Sequence, residues 1–111
     1  MKESTITIKV QTDENDLPVS IKWNATDSGI DGDVESKALL MAIWDSKESN
    51  AMRLDLWTKD MTVDDMKMFF YQTLLSMADT LENSTSEAIM AAEMKDFCAY
   101  FAEKMKIKRK G

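Results

Sequence analysis

Apolar and polar residues alternate with a period of two through the first half of the chain, and apolar residues recur at helical spacing through the second half. Over residues 5–11, Ile6, Ile8 and Val10 lie on one face and Thr5, Thr7, Lys9 and Gln11 on the other. Residues 19–24 repeat the pattern, with Val19, Ile21 and Trp23 against Ser20, Lys22 and Asn24. The polar turn Asp13-Glu14-Asn15-Asp16, with Pro18 just beyond it, joins the two runs as a hairpin. A loop closed by Thr12 and Leu17 sets Val10 opposite Val19, Ile8 opposite Ile21 and Ile6 opposite Trp23, all on one face.

A second hairpin follows a polar, acidic connection over residues 25–36 that holds two of the three glycines. Its first strand is apolar on both faces, with Leu39, Met41 and Ile43 on one and Leu40, Ala42 and Trp44 on the other. Its second strand alternates Met52, Leu54 and Leu56 inward with Arg53, Asp55 and Trp57 outward. Loops of four and of five residues through 46–50 fit equally well, so the pattern leaves the register open. With either loop, an apolar trio from the first strand shares a face with Arg53, Asp55 and Trp57.

Thr62 has the features of a helix N-cap, with Asp65 three residues on and Met61 and Met66 at staple positions. Met66, Phe70, Leu74, Met77 and Leu81 form a stripe, and no charge falls between Lys67 and Asp79. A helix apolar nearly all round is covered on more than one side. Ser84 and Glu87 stand at capping-box spacing ahead of a second helix carrying Met90, Met94, Phe97, Phe101 and Met105. The pattern predicts a single α+β domain over residues 1–111: a four-stranded antiparallel sheet made of two hairpins, followed by two helices packed on one face. The strands are expected at about 4–12, 18–24, 37–45 and 51–59, and the helices at about 62–82 and 84–107.

Charge and composition narrow the function. The net charge of −6 is concentrated early: residues 1–36 hold 3 basic and 8 acidic side chains, while residues 37–61 balance at 4 and 4. An acidic chain repels phosphate backbones, so nucleic acid is not an expected partner. The basic end Lys104, Lys106, Lys108, Arg109 and Lys110 reads as solvation of a helix end and complement to its dipole. No apolar leader opens the sequence and no stretch reaches membrane-spanning length, so a cytoplasmic protein with no integral membrane segment is expected. One cysteine permits no intrachain disulfide, in keeping with a reducing compartment, where the sequons at Asn24 and Asn83 carry no meaning. Histidine is absent altogether, which removes the usual general base, the Ser-His and Cys-His nucleophile systems and the commonest metal ligand.

Each remaining candidate has a plain structural reading. Asp27, Asp31, Asp33 and Glu35 lack the fixed ligand series of a calcium loop and read as a solvated linker. Asp60, Asp64 and Asp65 gather at a helix start, where acids cap and favour the positive dipole end. Cys98 lies near the apolar stripe and reads as a buried inert thiol. The ten methionines mostly sit at core spacing and read as filling, with an adaptable binding surface as the other reading. Trp57 with Arg53 and Asp55 is the group that points to function, because Trp and Arg dominate binding hot spots, with Trp57 as cover for the sheet edge its structural alternative. No metal, cofactor or catalytic residues are expected.

These residues resemble the GldC family, small proteins associated with gliding motility in Bacteroidetes-type bacteria. The resemblance rests on Trp23-Asn24-Ala25-Thr26-Asp27-Ser28-Gly29, Ile43-Trp44-Asp45, and Arg53-Leu54-Asp55-Leu56-Trp57-Thr58-Lys59-Asp60-Met61. It continues through Phe69-Phe70-Tyr71-Gln72-Thr73-Leu74-Leu75-Ser76-Met77-Ala78-Asp79, then Asp96-Phe97 and Phe101-Ala102-Glu103-Lys104-Met105. It implies a cytoplasmic accessory protein of the gliding apparatus, with no established enzymatic activity or catalytic residues to carry over. The expected role is therefore a protein-interaction module for a partner in the gliding or secretion machinery, with a homo-oligomer as the simplest assembly. The alternative is a carrier of a small apolar ligand in a cleft lined by methionine and aromatic side chains.

Overall fold

A computed structural model describes residues 1–107. Five strands precede two helices: β1 (Ile6–Thr12), β2 (Pro18–Ala25), β3 (Val34–Ser36), β4 (Ala38–Asp45), β5 (Asn50–Trp57), α1 (Val63–Thr85) and α2 (Ala88–Lys104). The α+β class and the antiparallel pairing agree with the sequence pattern. Two compact units divide the chain, Met1–Met61 and Thr62–Gly111.

The strands form two sheets, one of order β1-β2-β3 and one of order β4-β5, in place of the single four-stranded sheet expected. The break falls at Lys37, which alone separates β3 from β4. At that point the chain leaves β2 and takes up β5 as its partner. Thr58 pins the junction: its N–H donates to the Lys37 carbonyl at 2.8 Å, and its hydroxyl donates to Asp60 at 2.6 Å. The extra strand β3 arises inside the acidic connection, where Val34, Glu35 and Ser36 pair with Trp23, Lys22 and Ile21.

The first hairpin is paired two residues away from the expected register. Val10 faces Ile21, Ile8 faces Trp23 and Ile6 faces Ala25, and Val19 is the extra residue of a bulge between Gln11 and Thr12. Turn chemistry explains the shift. The Asp13 carboxylate accepts from Asn15 N at 2.8 Å and Leu17 N at 3.0 Å, Asp16 N donates to Asp13 O, and Asp16 takes the left-handed conformation at φ 61°. These bonds make Asp13 and Leu17 the closing residues, in place of Thr12 and Leu17.

The second hairpin uses the four-residue loop. Asp45 pairs with Asn50, the Asp45 carboxylate accepts from Lys47 N and Glu48 N, and Ser49 adopts φ 52°. This register places Ala38, Leu40, Ala42 and Trp44 on the same face as Trp57, Asp55, Arg53 and Ala51. The apolar trio expected beside Arg53, Asp55 and Trp57 is therefore Leu40, Ala42 and Trp44.

Thr62 caps α1 as its sequence implies, accepting from Asp65 N at 3.0 Å. The end of α1 departs from expectation, because the helix runs through Ser84 to Thr85. The hydroxyls of Ser84 and Thr85 both donate back to Leu81 O, which extends the first helix and forms no capping box for the second. Ser86, in the left-handed conformation at φ 62°, closes the helix by donating its N–H to Glu82 O. Glu87 then starts α2 with no side-chain cap.

The buried side of α2 is also rotated from the expected stripe. Its fully buried positions are Ala91, Cys98 and Ala102, spaced seven and four residues apart, and Ala78 is the matching position on α1. Small side chains suit close helix approach. The large residues of the expected stripes are at most half-buried, as at Met66, Leu74, Leu81, Met94 and Phe101, and Met77 and Phe97 stay in solvent at 53% and 52% exposure. Asp79 and Lys95 join the two helices through an ion pair at 2.9 Å. Lys108, Arg109 and Lys110 of the basic end lie outside the described residues.

Candidate partner-binding site

The alternation of β5 brings Arg53, Asp55 and Trp57 onto one face at two-residue steps. The Arg53 guanidinium donates to the Asp55 carboxylate at 2.9 Å along the strand, and both side chains are open to solvent. Trp57 is 57% exposed and stands opposite Ala38. At the other end of the face, Trp44 is 63% exposed and stands opposite Ala51. Trp57 lies six steps along the strand from Ala51, so the two indoles flank the ion pair about 20 Å apart.

Trp44 is the member of this face that the sequence argument did not single out. Its parity on β4 was the available signal, since four-residue closure of the loop puts it level with Ala51. The reverse face of the hairpin is open too, with Ile43, Met52 and Leu54 exposed.

A notch of about 320 Å³ lies beside Trp57, lined by Leu17, Pro18, Asp55, Leu56 and Lys59. Lys59 forms an ion pair with Asp13. That contact, together with the N–H groups of Leu17 and Asn15, lowers the Asp13 pKa to about 2. The Thr58 hydroxyl, with Lys37 at 3.3 Å, likewise lowers the pKa of Asp60. Both carboxyls are held firmly in the ionised form, the state suited to pinning strands together.

The other candidate groups are not brought together as sites. Asp33 pairs with Lys9 at 3.1 Å, Asp27 accepts from Ser4, and Glu35 sits on β3 opposite Lys22. Asp64 and Asp65 occupy the first turn of α1, while Asp60 serves Thr58 and Lys37. Among the described residues no group of three or more His, Cys, Asp or Glu side chains is arranged to hold a metal ion. Cys98 is buried, and burial pushes its thiol pKa up, which disfavours the nucleophilic thiolate.

No methionine is fully buried: Met1, Met52, Met77, Met90 and Met105 are exposed, and Met41, Met61, Met66, Met68 and Met94 are half-buried. Met77 and Met94 line an open furrow of about 600 Å³ along α1, with Phe69, Leu81 and the polar Gln72 and Thr73. Phe97 stacks obliquely with Tyr100 and Phe101, ring centroids 6.0 and 6.3 Å away, and Lys104 lies over Tyr100. Among the described residues no helix is long and apolar enough to cross a membrane.

Fold and surface together define a small α+β protein of antiparallel hairpins and a helical hairpin, with an aromatic and charged face displayed on its second sheet. The chain belongs to the GldC-like family, gliding motility-associated proteins whose family model matches residues 18–107. The match takes in every strand after β1 and both helices. No curated protein and no solved structure matches the chain. Membership associates the protein with gliding motility.

Proposed function

We propose that the protein is a non-catalytic, cytoplasmic accessory component of the gliding apparatus that works by docking a protein partner on the face of β4 and β5 that carries Trp57 and Trp44. The observation that carries this reading is the exposure of Trp57 and Trp44 on either side of the Arg53–Asp55 ion pair. Two indoles left in water forgo a large amount of hydrophobic stabilisation, and a partner that covers them recovers it. The Arg53–Asp55 pair is already formed, so little side-chain ordering remains for binding. The small apolar-ligand reading has the open furrow along α1 as its support, and an apolar molecule retained through purification would favour it.

The test is affinity purification from a gliding bacterium with the native chain and with Trp57→Ala, followed by mass measurement of the intact complexes. A component of the gliding machinery should accompany the native chain, and Trp57→Ala should weaken that complex by roughly 30-fold, as loss of a hot-spot tryptophan does. Helical circular dichroism should be unchanged. A Trp57→Ala chain that retains every partner at native affinity overturns the reading.

A further inference from the structure

Among the described residues β4 pairs with β5 and with no other strand, so its second edge is free. That edge carries none of the devices that ordinarily block edge pairing. From Ala38 to Asp45 there is no proline, no glycine and no charge before Asp45 itself. The free edge of β5, by contrast, bears Arg53 and Asp55, and Leu17, Pro18 and Lys59 gather around the notch at its end.

Backbone direction fixes which groups the β4 edge offers. Thr58 N donates to Lys37 O, and Lys37 lies in register with Thr58. Odd-numbered residues therefore turn their backbone groups toward β5, while Ala38, Leu40, Ala42 and Trp44 present theirs to the free edge. The Ala38 carbonyl already accepts from the Ser36 hydroxyl at 2.9 Å, so a partner strand has to satisfy Leu40, Ala42, Trp44 and the N–H of Ala38.

We infer that the partner is a second copy of this chain, paired antiparallel through β4 about a two-fold axis at Met41. In this register Leu40 bonds to Ala42 of the other copy and Ala38 to Trp44, so the groups facing the edge meet groups facing the edge. Leu39 falls opposite Ile43, and Lys37 falls opposite Asp45 at both ends. Each basic end thus meets an acidic one. Shifting the axis to Leu40 sets Glu35 against Asp45, and shifting it to Ala42 sets Lys37 against Lys47 and buries Asp45 opposite Leu39. Like charges directly opposite are unfavourable, so charge selects the Met41 axis. The overall charge of −6 does not oppose it, since residues 37–61 balance at 4 and 4. The two-stranded sheet then becomes four-stranded, with the Trp57 faces of both copies on one continuous surface. The inference stands on the edge and not on that face, so either can fail alone.

The test uses the full chain. Sedimentation should give a reversible dimer of twice 12.7 kDa. Under mild oxidation Met41→Cys should cross-link, because residues facing each other in a non-hydrogen-bonded pair sit within disulfide range. Leu54→Cys, at the centre of β5, should not; Cys98 is buried and does not compete. Lys37→Asp and Asp45→Lys should each weaken self-association roughly tenfold, and mixing the two variants should restore it, because both ion pairs re-form between unlike chains. Trp57→Ala should leave the dimer intact. A native chain that stays monomeric at high concentration, cross-linking at Leu54→Cys in preference to Met41→Cys, or no recovery on mixing overturns the inference.

Discussion

Thr58 donates its backbone N–H to the carbonyl of Lys37 at the residue where one extended run leaves the first sheet and enters the second. Thr58 is 3% exposed and is the one buried polar residue among those described. Its hydroxyl is satisfied by Asp60, whose other carboxylate oxygen holds Lys37. The junction is therefore a closed polar ring: strand carbonyl, threonine, aspartate and the lysine of the same strand. A side chain buried at such a point is tolerated only when its polar atoms are paired.

Thr58→Val keeps the shape and the backbone bond but removes the hydroxyl. The expected cost is about 1 kcal/mol in urea unfolding, the scale of one lost internal hydrogen bond. The Asp60 pKa should rise back toward 3.8, since the Thr58 hydroxyl is the largest cause of its lowering. Carboxyl titration by NMR checks this. An unchanged Asp60 titration shows that Thr58 does not govern the junction.

Acid should loosen the first unit at its hairpin turn. Asp13 has its pKa lowered from 3.8 to about 2, by Lys59 first and by the N–H groups of Leu17 and Asn15. Because the folded value is depressed, its contribution is fully present above about pH 4 and is lost as the pH falls toward 2. Amide signals of Asn15 and Leu17 should shift across that window in the native chain. In Lys59→Met the midpoint should move upward, because the largest cause is gone. A midpoint near 3.8 in both proteins removes the role assigned to Lys59.

Much of this organisation was legible in the sequence, and the departures have physical causes. Alternation located β1, β2, β4 and β5 and placed Arg53, Asp55 and Trp57 on one face, because a period of two is insensitive to neighbouring chemistry. It is equally insensitive to a slip of two residues, which returns every side chain to its own face. The register of the first hairpin was therefore set by what the pattern does not see, the Asp13 turn and the bulge at Val19. The sheet break at Lys37 carried no glycine or proline to announce it. The helical stripes were drawn through the largest residues, whereas the buried line of α2 runs through Ala91, Cys98 and Ala102.

That buried line makes the last prediction. Ala91 is fully buried, while its neighbour Met90 is half exposed. Hydrophobicity ranks Met90 as the core position, and geometry ranks Ala91. Ala91→Leu inserts three carbons where the chain has no room, and overpacking of this kind costs about 1–3 kcal/mol. Met90→Ala trims a side chain already in solvent and should change stability by less than about 0.5 kcal/mol beyond the propensity gain of alanine. Thermal unfolding followed by circular dichroism separates the two. If Met90→Ala is the more damaging substitution, the seam of α2 lies on its large residues and the face assigned to solvent is the packed one.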